Sequence, residues 1–387
     1  MIFKSTSPLS PSVTIRIGGV EVDYISIMGA DLVLEENKHD LLVLKFSGVP
    51  PNLINKYLNA PVLFNLDSGP LRSQLFTGYV SNVEPITQAH LGYVNNSPFQ
   101  EVNVYCVGAS YFMKGLSSRV WNPPTLNNVV SSMSKKYGFS ADVPRDKYTP
   151  INLSQTAESD WSFLVKAVDK YAYRVTIHGT HIHVWDVFNA TGRAASYHEL
   201  ITTANPGSAQ PCTILKFEAY LGSLSASGFS SSTTVSYLDN QGNTLPVNTR
   251  NVRTESGLGK KLTSTFENFT TSSTRSFEEA QRELLRIKKA NMPFSAHIEI
   301  TAGAGVVPGG IVNVLNYGAD FDGLWYVKSV KHVMGQSHYV THLEVTKDGI
   351  YTPDVTITPV TRFKKPPEPI VINNRWVATT RRVTEYA

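Results

Sequence analysis

A change of hydrophobic period within residues 154–186 is the feature that most limits how this chain can fold. From Trp161 to Ala172 the apolar side chains recur three and four positions apart, which is typical of a helix that buries one face. After Tyr171 the period becomes two, and Gly179-Thr180 supplies a turn, so the pattern predicts a hairpin. One helix and one hairpin bury too little apolar surface to be stable alone. The unit is therefore predicted to be the middle of an α+β domain that flanking β segments enclose.

Alternating segments dominate the chain on both sides of this unit. Residues 1–110 contain six short strand patterns separated by turn residues, and residues 294–346 contain four more. Gly78 lies inside one of these patterns, LFTGYVSNVEPI, and predicts a bulge or a close approach of two backbones. The first set of strands fits a small barrel, and an ordinary β-sandwich fits it equally well.

Two further helices are predicted by their apolar stripes and end signals. The first covers residues 126–137, where Thr125 is placed to cap the start and Gly138 to end the helix. The second covers residues 277–290, and Pro293 stops it.

Residues 205–274, which precede the second of these helices, differ in pattern between their two halves. Residues 205–243 return to strand patterns, TILKFEAYLG and TTVSYLDNQGNTL. Residues 244–274 are rich in Ser, Thr, Asn and Gly with little periodicity. We expect a long surface loop there, with room for a short strand.

Composition narrows the class of protein. A chain of 387 residues is expected to hold two to four domains, since single cores stop growing at about 250 residues. The net charge of +4 is too small to argue for nucleic acid or an anionic membrane as the partner. No apolar run long enough to span a bilayer and no signal-peptide pattern is present, so we expect a soluble protein made in the cytoplasm. Cys106 and Cys212 are expected to be reduced, buried thiols.

Five motifs in order along the chain carry a family resemblance. They are LFTGYVSNVEPI, Glu158-Ser159-Asp160-Trp161, an E-A-x-x-x-L pattern from Glu279 to Leu284, Pro308-Gly309-Gly310, and Trp325-Tyr326-Val327 followed by a strand with His332. In this order they resemble the central hub proteins of phage tail baseplates, the related late-control proteins and the N-terminal part of secretion-spike proteins. The resemblance covers most of residues 13–346.

The resemblance implies a β-rich α+β fold in which a small α+β domain links two tail-tube-like β-barrel domains, with an extended C-terminal arm. The expected domains are a discontinuous first barrel (1–110 with 205–243), an α+β middle domain (111–204), a loop and connecting helix (244–293), a second barrel (294–350) and the arm (351–387).

The resemblance also implies a role and a set of partners. The chain is expected to be a structural component of a phage tail or of a phage-like injection device, assembled in the host cytoplasm and located in the virion at the tail tip or baseplate. Three copies would close a pseudo-sixfold ring that joins the tail tube to the tip. The expected partners are two further copies in a homotrimer, a distal tail or tail-tube protein, the tape-measure protein and a central fibre or tip protein. DNA would pass only in transit during genome ejection, and no membrane insertion by this chain is expected.

Residues that could carry chemistry have structural explanations in this pattern. His181 and His183 share one face of a strand near His178, as zinc ligands do, but no third ligand and no H-E-x-x-H motif accompany them. Glu158 and Asp160 stand at a helix start, where carboxylates compensate the helix dipole. Three further histidines (His332, His338 and His342) are scattered on strands, and GAGVVPGG and residues 257–261 lack the pattern of a phosphate loop. We therefore predict no catalytic residue, no cofactor-binding residue and no metal ligand, and hence no cofactor.

One function from another class stays open, a cell-wall or carbohydrate hydrolase or binding protein at the tail tip, with aromatic residues lining a sugar groove. Enzyme activity is not expected, because no nucleophile elbow or activated cysteine is present.

The last 37 residues, 351–387, are predicted to form an extended basic arm. Five prolines forbid a helix, and six basic against three acidic residues give 6 − 3 = +3 of the chain's +4. The arm is expected to add itself to the edge of another subunit or of an acidic tip protein. A disordered terminus is the alternative.

Overall fold

The computed structural model describes most of the chain outside its termini and long connections. The described residues are 12–22, 27–47, 57–67, 73–86, 101–122, 124–144, 153–185, 197–201, 214–221, 232–238, 244–250, 268–274, 294–301, 303, 305–318, 321–335 and 338–347. The predicted helix at 277–290, Cys212 and the arm at 351–387 lie outside these residues.

The N-terminal part is a run of antiparallel strands, as its alternation predicts. They are β1 (Ser12–Ile17), β2 (Val20–Glu21), β3 (Ile27–Glu35), β4 (Leu41–Ser47), β5 (Pro61–Asp67), β6 (Ser73–Ile86) and β7 (Glu101–Gly108). Their order in the sheet is β3-β4-β7-β6-β5-β1-β2. On β7, Val102, Val104 and Cys106 are buried while the residues between them are partly exposed. Alternation of this kind puts one face of the strand in the core.

The structure confirms the close backbone approach and the bulge predicted at Gly78. A Cβ at this position would lie 2.1 Å from the carbonyl oxygen of Val107 and 2.7 Å from the ring of Phe76. The β6–β7 ladder also shifts register between Val80 and Asn82. The strands therefore approach so closely at Gly78 that a side chain has no room, and a bulge follows directly.

The middle unit, residues 109–185, combines short strands with helices. Its elements are a 3-10 helix (Ala109–Lys114), β8 (Leu116–Val120), a first helix (Leu126–Tyr137), β9 (Ser140–Asp142), β10 (Ser154–Ser159), a second helix (Asp160–Lys170), β11 (Arg174–His178) and β12 (His181–Trp185). β8 pairs with β10, and β11 pairs with β12 around Gly179, as predicted. β9 adds to β12 as a parallel neighbour.

The two predicted ends of the first helix and the predicted start of the second helix are confirmed. The Thr125 side chain accepts a hydrogen bond from the backbone N–H of Asn128, and Gly138 ends the first helix in the left-handed region with φ 69°. The second helix begins after Ser159, whose hydroxyl accepts from the backbone N–H of Ser162. Apolar residues of both helices and of the hairpin form one cluster that includes Trp161.

The C-terminal part is again built of strands. They are β13 (Tyr197–Ile201), β14 (Ile214–Leu221), β15 (Ser232–Leu238), β16 (Thr244–Arg250), β17 (Asn268–Thr274), β18 (Phe294–Thr301), β19 (Ile311–Leu315), β20 (Gly323–Gly335) and β21 (Tyr339–Lys347). β14, β18, β21 and β20 are successive antiparallel neighbours, and β19 also pairs with β20. β15, β16 and β17 form a separate small sheet.

One long strand, β20, joins the N-terminal and C-terminal strands into a single sheet of 13 strands. The residues from Gly323 to Tyr326 pair with β19, and those from Ser329 to Gly335 pair with β3. The sheet curls into a half-barrel. One hydrophobic core runs beneath both strand sets, since Leu34 and Phe64 share a cluster with Trp325.

Two strands pair differently from the sequence expectation. β14 lies in the segment assigned to the first barrel, yet it pairs with β18, a strand of the predicted second barrel. β13 falls within the predicted middle domain and pairs in parallel with β19. Alternation reports the face that a strand buries and carries no information on its neighbour, which explains both differences. The division into domains stays a prediction.

The predicted loop at 244–274 contains two strands, β16 and β17. β16 pairs antiparallel with β15, with Leu238 opposite Thr244. β17 pairs in parallel with β15. Its sequence, NFTTSST, holds three β-branched threonines, which favour strands although they are polar.

None of the helices among the described residues is long and apolar enough to cross a membrane.

Candidate functional site

The turn between β3 and β4 reaches the middle unit through backbone hydrogen bonds. Asn37 has φ 60°, a left-handed conformation that Asn adopts more readily than most residues. Its backbone N–H donates to the carbonyl of Val175 at 2.8 Å, and its side-chain oxygen accepts from the N–H of Val175 at 3.2 Å. The preceding residue, Glu36, donates its N–H to the carbonyl of Lys328 on β20. The turn therefore contacts the middle unit and the C-terminal strands at once.

Four side chains, which we call the junction (Glu36, Arg174, Trp185 and Tyr326), meet at this place. The Tyr326 hydroxyl donates to the Glu36 carboxylate at 2.5 Å and accepts from Trp185 Nε1 at 3.0 Å. Arg174 Nε lies 3.6 Å from Glu36, and the two side chains are only 13% and 14% exposed. Burial, and then the Glu36 charge, raise the pKa of Tyr326 well above its usual value, so the phenol keeps its proton.

A glycine turn lets the C-terminal strands approach Trp185. Gly309 has φ +81°, and a Cβ there would lie 2.6 Å from the indole ring of Trp185. Its N–H donates to the carbonyl of Val327 on β20. The Pro308-Gly309-Gly310 turn, one of the motifs of the family resemblance, thus packs against the junction.

A second polar contact lies beside the junction, between Asp40 and His178. His178 Nδ1 lies 3.3 Å from Asp40 Oδ2, and Thr176 Oγ1 lies 3.1 Å from His178 Nε2. Burial raises the pKa of the Asp40 carboxyl, and His178 partly offsets this effect. The neighbouring His39 contacts Ser110, and burial together with the Lys114 charge lowers the pKa of His39 to about 4. These histidines act as packing and hydrogen-bonding groups between the first strands and the middle unit.

Asp160 lies at the start of the second helix, as predicted, but it does more than compensate a dipole. Its buried carboxylate accepts hydrogen bonds from four side chains on other elements, namely Ser117 (2.6 Å), Lys136 (2.5 Å), Tyr137 (2.7 Å) and Gln155 (2.7 Å). Burial alone would raise the pKa of Asp160, but these hydrogen bonds outweigh it and lower the pKa to about 2. Glu158 contacts Lys166 at 2.5 Å instead. The two carboxylates therefore make separate contacts, and the buried Asp160 connects several elements of the middle unit.

The other candidate residues are dispersed. His332 is fully buried, with Nδ1 3.0 Å from the Tyr339 hydroxyl and 3.2 Å from Thr341 Oγ1, and burial lowers its pKa to about 3. His342 lies 3.6 Å from Glu299 on a partly exposed face. Cys106 is buried, and burial raises the pKa of its thiol to about 12, which leaves almost no thiolate. Residues 257–261 lie outside the described residues.

The structure does bring one candidate pair together with a residue that the sequence analysis missed. His181 and His183 on β12 lie beside Asp142 on β9, and one ligand atom from each lies within 4.8 Å of the other two. The parallel β9–β12 pairing places Asp142 opposite His183. Periodicity gives no signal for a parallel pair between segments 40 residues apart.

The fold defined by these elements is that of phage tail proteins. The chain is similar to a tail protein from Neisseria meningitidis, with a TM-score of 0.58 and 14% identity over 89% of this chain and 99% of that one. It is also similar to the 43 kDa tail protein of prophage MuSo2 from Shewanella oneidensis, with a TM-score of 0.59 and 11% identity over 87% and 98%.

A third similar structure is an E. coli component of the type VI secretion system, itself described as similar to the T4 tail proteins gp27 and gp5. Its TM-score is 0.52, with 10% identity over 90% of this chain and 81% of that one. No family model and no curated protein sequence matches the chain. The resemblance to phage tail and secretion-spike proteins is thus confirmed as a shared fold.

Proposed function

We propose that this chain is the structural hub at the baseplate or tip of a phage tail or of a phage-like injection device. The observation that carries the proposal is the sheet itself. β20 connects an N-terminal and a C-terminal strand set above one core, within a fold that tail proteins share. Each strand set supplies one tail-tube-like barrel, and the middle unit links them.

In this proposal three copies close a ring of six barrels. A ring made of two barrels per chain matches a sixfold tail tube on one side and a threefold tip on the other. Among the described strands, β2 and β14 end the path of the large sheet, and β14 exposes Leu215 and Tyr220. Open strand edges of this kind are stabilised when a neighbouring subunit pairs with them.

The partners follow from the position of the ring. The tail-tube side meets the distal tail or tail-tube protein, and the opposite side meets a central fibre or tip protein. The tape-measure protein and DNA pass through the channel, DNA only in transit. The basic segment 351–387 is the proposed contact with the tip protein.

The test is a cryo-EM reconstruction of the assembled tail. We expect three copies in one layer around an open channel. Six copies at one level, or a solid body without a channel, would contradict the proposal. A purified monomer decides nothing here, because the ring forms on the tail.

The geometry of Asp160 argues against the hydrolase alternative. A general acid needs a carboxyl that keeps its proton near neutral pH, whereas Asp160 has a pKa of about 2 and accepts four hydrogen bonds. We expect no clearing of peptidoglycan in a zymogram. Turnover that is lost in Asp160→Asn or Glu158→Gln would establish the enzyme instead.

A further inference from the structure

The pairing of β9 with β12 gathers three potential metal ligands on one face of the middle unit. In parallel register, Asp142 lies opposite His183 and Ser140 opposite His181. Side chains two residues apart share a face of a strand, so Asp142, His181 and His183 project on the same side. The opposite side of β12 carries Ile182 and Val184, which are fully buried. The polar face is therefore held by an apolar core behind it.

The distances are close to those of a coordination shell. His181 Nε2 lies 3.3 Å from Asp142 Oδ2, and all three ligand atoms lie within 4.8 Å of one another. In a tetrahedral zinc site with bonds of about 2.0–2.2 Å, ligand atoms are about 3.3–3.6 Å apart. The first pair already has this spacing, and small side-chain rotations bring the third atom to it.

A neighbouring hydroxyl orients the first histidine. Ser140 Oγ lies 2.8 Å from His181 Nδ1. When Nδ1–H donates to this hydroxyl, the lone pair is on Nε2, the atom beside Asp142. Metal-binding histidines are commonly held in this way through their second nitrogen. The structure thus supplies the third ligand whose absence from the sequence pattern argued against a metal, and it adds an oriented ring.

The second histidine is held by the junction. Its ring stacks on Trp185 with a centroid distance of 5.3 Å and an angle of 22°. Trp185 in turn donates to Tyr326. The orientation of His183 is therefore fixed by packing that continues into the C-terminal strands.

We propose that Asp142, His181 and His183 bind one divalent transition-metal ion, Zn²⁺ in preference to Mg²⁺ or Ca²⁺. Two imidazoles and one carboxylate suit zinc, whereas magnesium and calcium require mostly oxygen ligands. The side chains of Asp142 and His181 are 57% and 40% exposed, so the fourth position opens to solvent and takes water. The ion ties the strand that follows the first helix to the β11–β12 hairpin, and it stabilises the middle unit.

The probe is Zn²⁺ itself, titrated calorimetrically into the full chain after treatment with a chelator, with Co²⁺ absorption as a spectroscopic check. We expect about one ion per chain, a higher melting temperature with Zn²⁺, and visible Co²⁺ bands of a low-coordinate site. Asp142→Asn and His181→Asn should each weaken binding at least about tenfold, and Ser140→Ala about tenfold, because loss of an orienting group typically costs 10–100-fold.

The matched control is His297→Asn. His297 also lies on a strand near a carboxylate, with Nε2 3.9 Å from Glu344, but it is not among the three grouped ligands. This variant should bind Zn²⁺ as the wild type does. Equal melting temperatures of all variants in chelator would show that they fold. Asp142→Asn is the substitution least able to disturb folding, because the Asp142 side chain is exposed.

Two results would overturn the proposal. One is a wild-type chain that takes up no Zn²⁺ in calorimetry, which would leave His181 and Asp142 in direct contact with each other only. The other is binding that keeps its wild-type strength in Asp142→Asn or is lost in His297→Asn, which would place the ion elsewhere.

Discussion

The hydroxyl of Tyr326 donates a 2.5 Å hydrogen bond to the carboxylate of Glu36, although 290 residues separate them in the sequence. This contact connects the first strands to the last ones. The middle unit contacts the same two residues, Arg174 lying beside Glu36 and Trp185 donating to Tyr326. The contact between Glu36 and Tyr326 is buried, and it links three parts of the chain.

Tyr326→Phe tests this contact. The substitution removes the acceptor of the Trp185 N–H and a donor to Glu36, and a buried polar group that loses its partner typically costs about 1–3 kcal/mol. We expect the free energy of unfolding, measured by urea denaturation, to fall by about that amount. The control is Tyr105→Phe, because Tyr105 makes the same kind of bond to Glu84 at 2.7 Å on an exposed surface. The control should have a much smaller effect, and equal effects of the two substitutions would contradict the prediction.

Asp160→Asn should destabilise the middle unit in a pH-dependent way. The pKa of Asp160 in the folded chain is about 2, below the usual 3.8, so its contribution is complete above pH 3.8 and is lost as the pH falls toward 2. The variant should therefore be less stable than the wild type by about 1–3 kcal/mol at pH 6, with a difference that shrinks as the pH falls from about 4 toward 2. Urea midpoints at several pH values measure it. Glu158→Gln is the control, since Glu158 forms only a solvent-accessible pair with Lys166. A gap between Asp160→Asn and wild type that stays constant with pH would refute the account.

His332 should make the fold sensitive to weaker acid. Burial lowers its pKa from 6.5 to about 3, so the unfolded chain binds a proton that the folded chain does not bind between these values. Stability is therefore lost as the pH falls from 6.5 toward 3, by about 1.4 kcal/mol per pH unit for one such group. His332→Leu should make the pH profile of the melting temperature shallower over pH 4–6.5, while His297→Leu on an exposed face should leave it unchanged. Part of the pH dependence of the melting temperature should remain in His332→Leu, because the pKa of His39 is also lowered, to about 4. A wild-type slope in His332→Leu would assign the acid sensitivity to other groups.

Deletion of residues 352–387 should separate folding from assembly. The segment carries +3 of the chain's +4, and we propose that it contacts the tip protein. The truncated chain should keep its melting temperature but fail to recruit the next tip component, measured by electron microscopy of assembled tails. Infectious tails built with the truncated chain would exclude the segment as a docking arm.

Local signals in the sequence predicted the local structure well. Thr125 and Gly138 mark the ends of the first helix because caps satisfy backbone groups within a few residues. Gly78 marks a close approach because no other residue fits it. The Gly179 hairpin follows from the change of period together with the Gly179-Thr180 turn.

Contacts between distant segments were not predictable in the same way. The pairing of β14 with β18, the Glu36–Tyr326 bond and the arrival of Asp142 beside His181 depend on which strands become neighbours. Alternation does not encode that choice. Asp160 shows the same limit within one residue. Its position at a helix start could be predicted from the sequence, but the four donors that surround it come from segments up to 43 positions away.

The shared strand β20 has a mechanical consequence. It runs antiparallel to β3 over seven residue pairs, from Ser329 opposite Glu35 to Gly335 opposite Gly29. A load directed along these strands acts on the whole ladder in shear, so its hydrogen bonds must fail together, whereas a side-chain interface between separate domains can slide. If such a chain forms part of a tail, it transmits force along these strands without relative movement of its N-terminal and C-terminal strand sets. Bending or opening of the device must then take place in the neighbouring proteins.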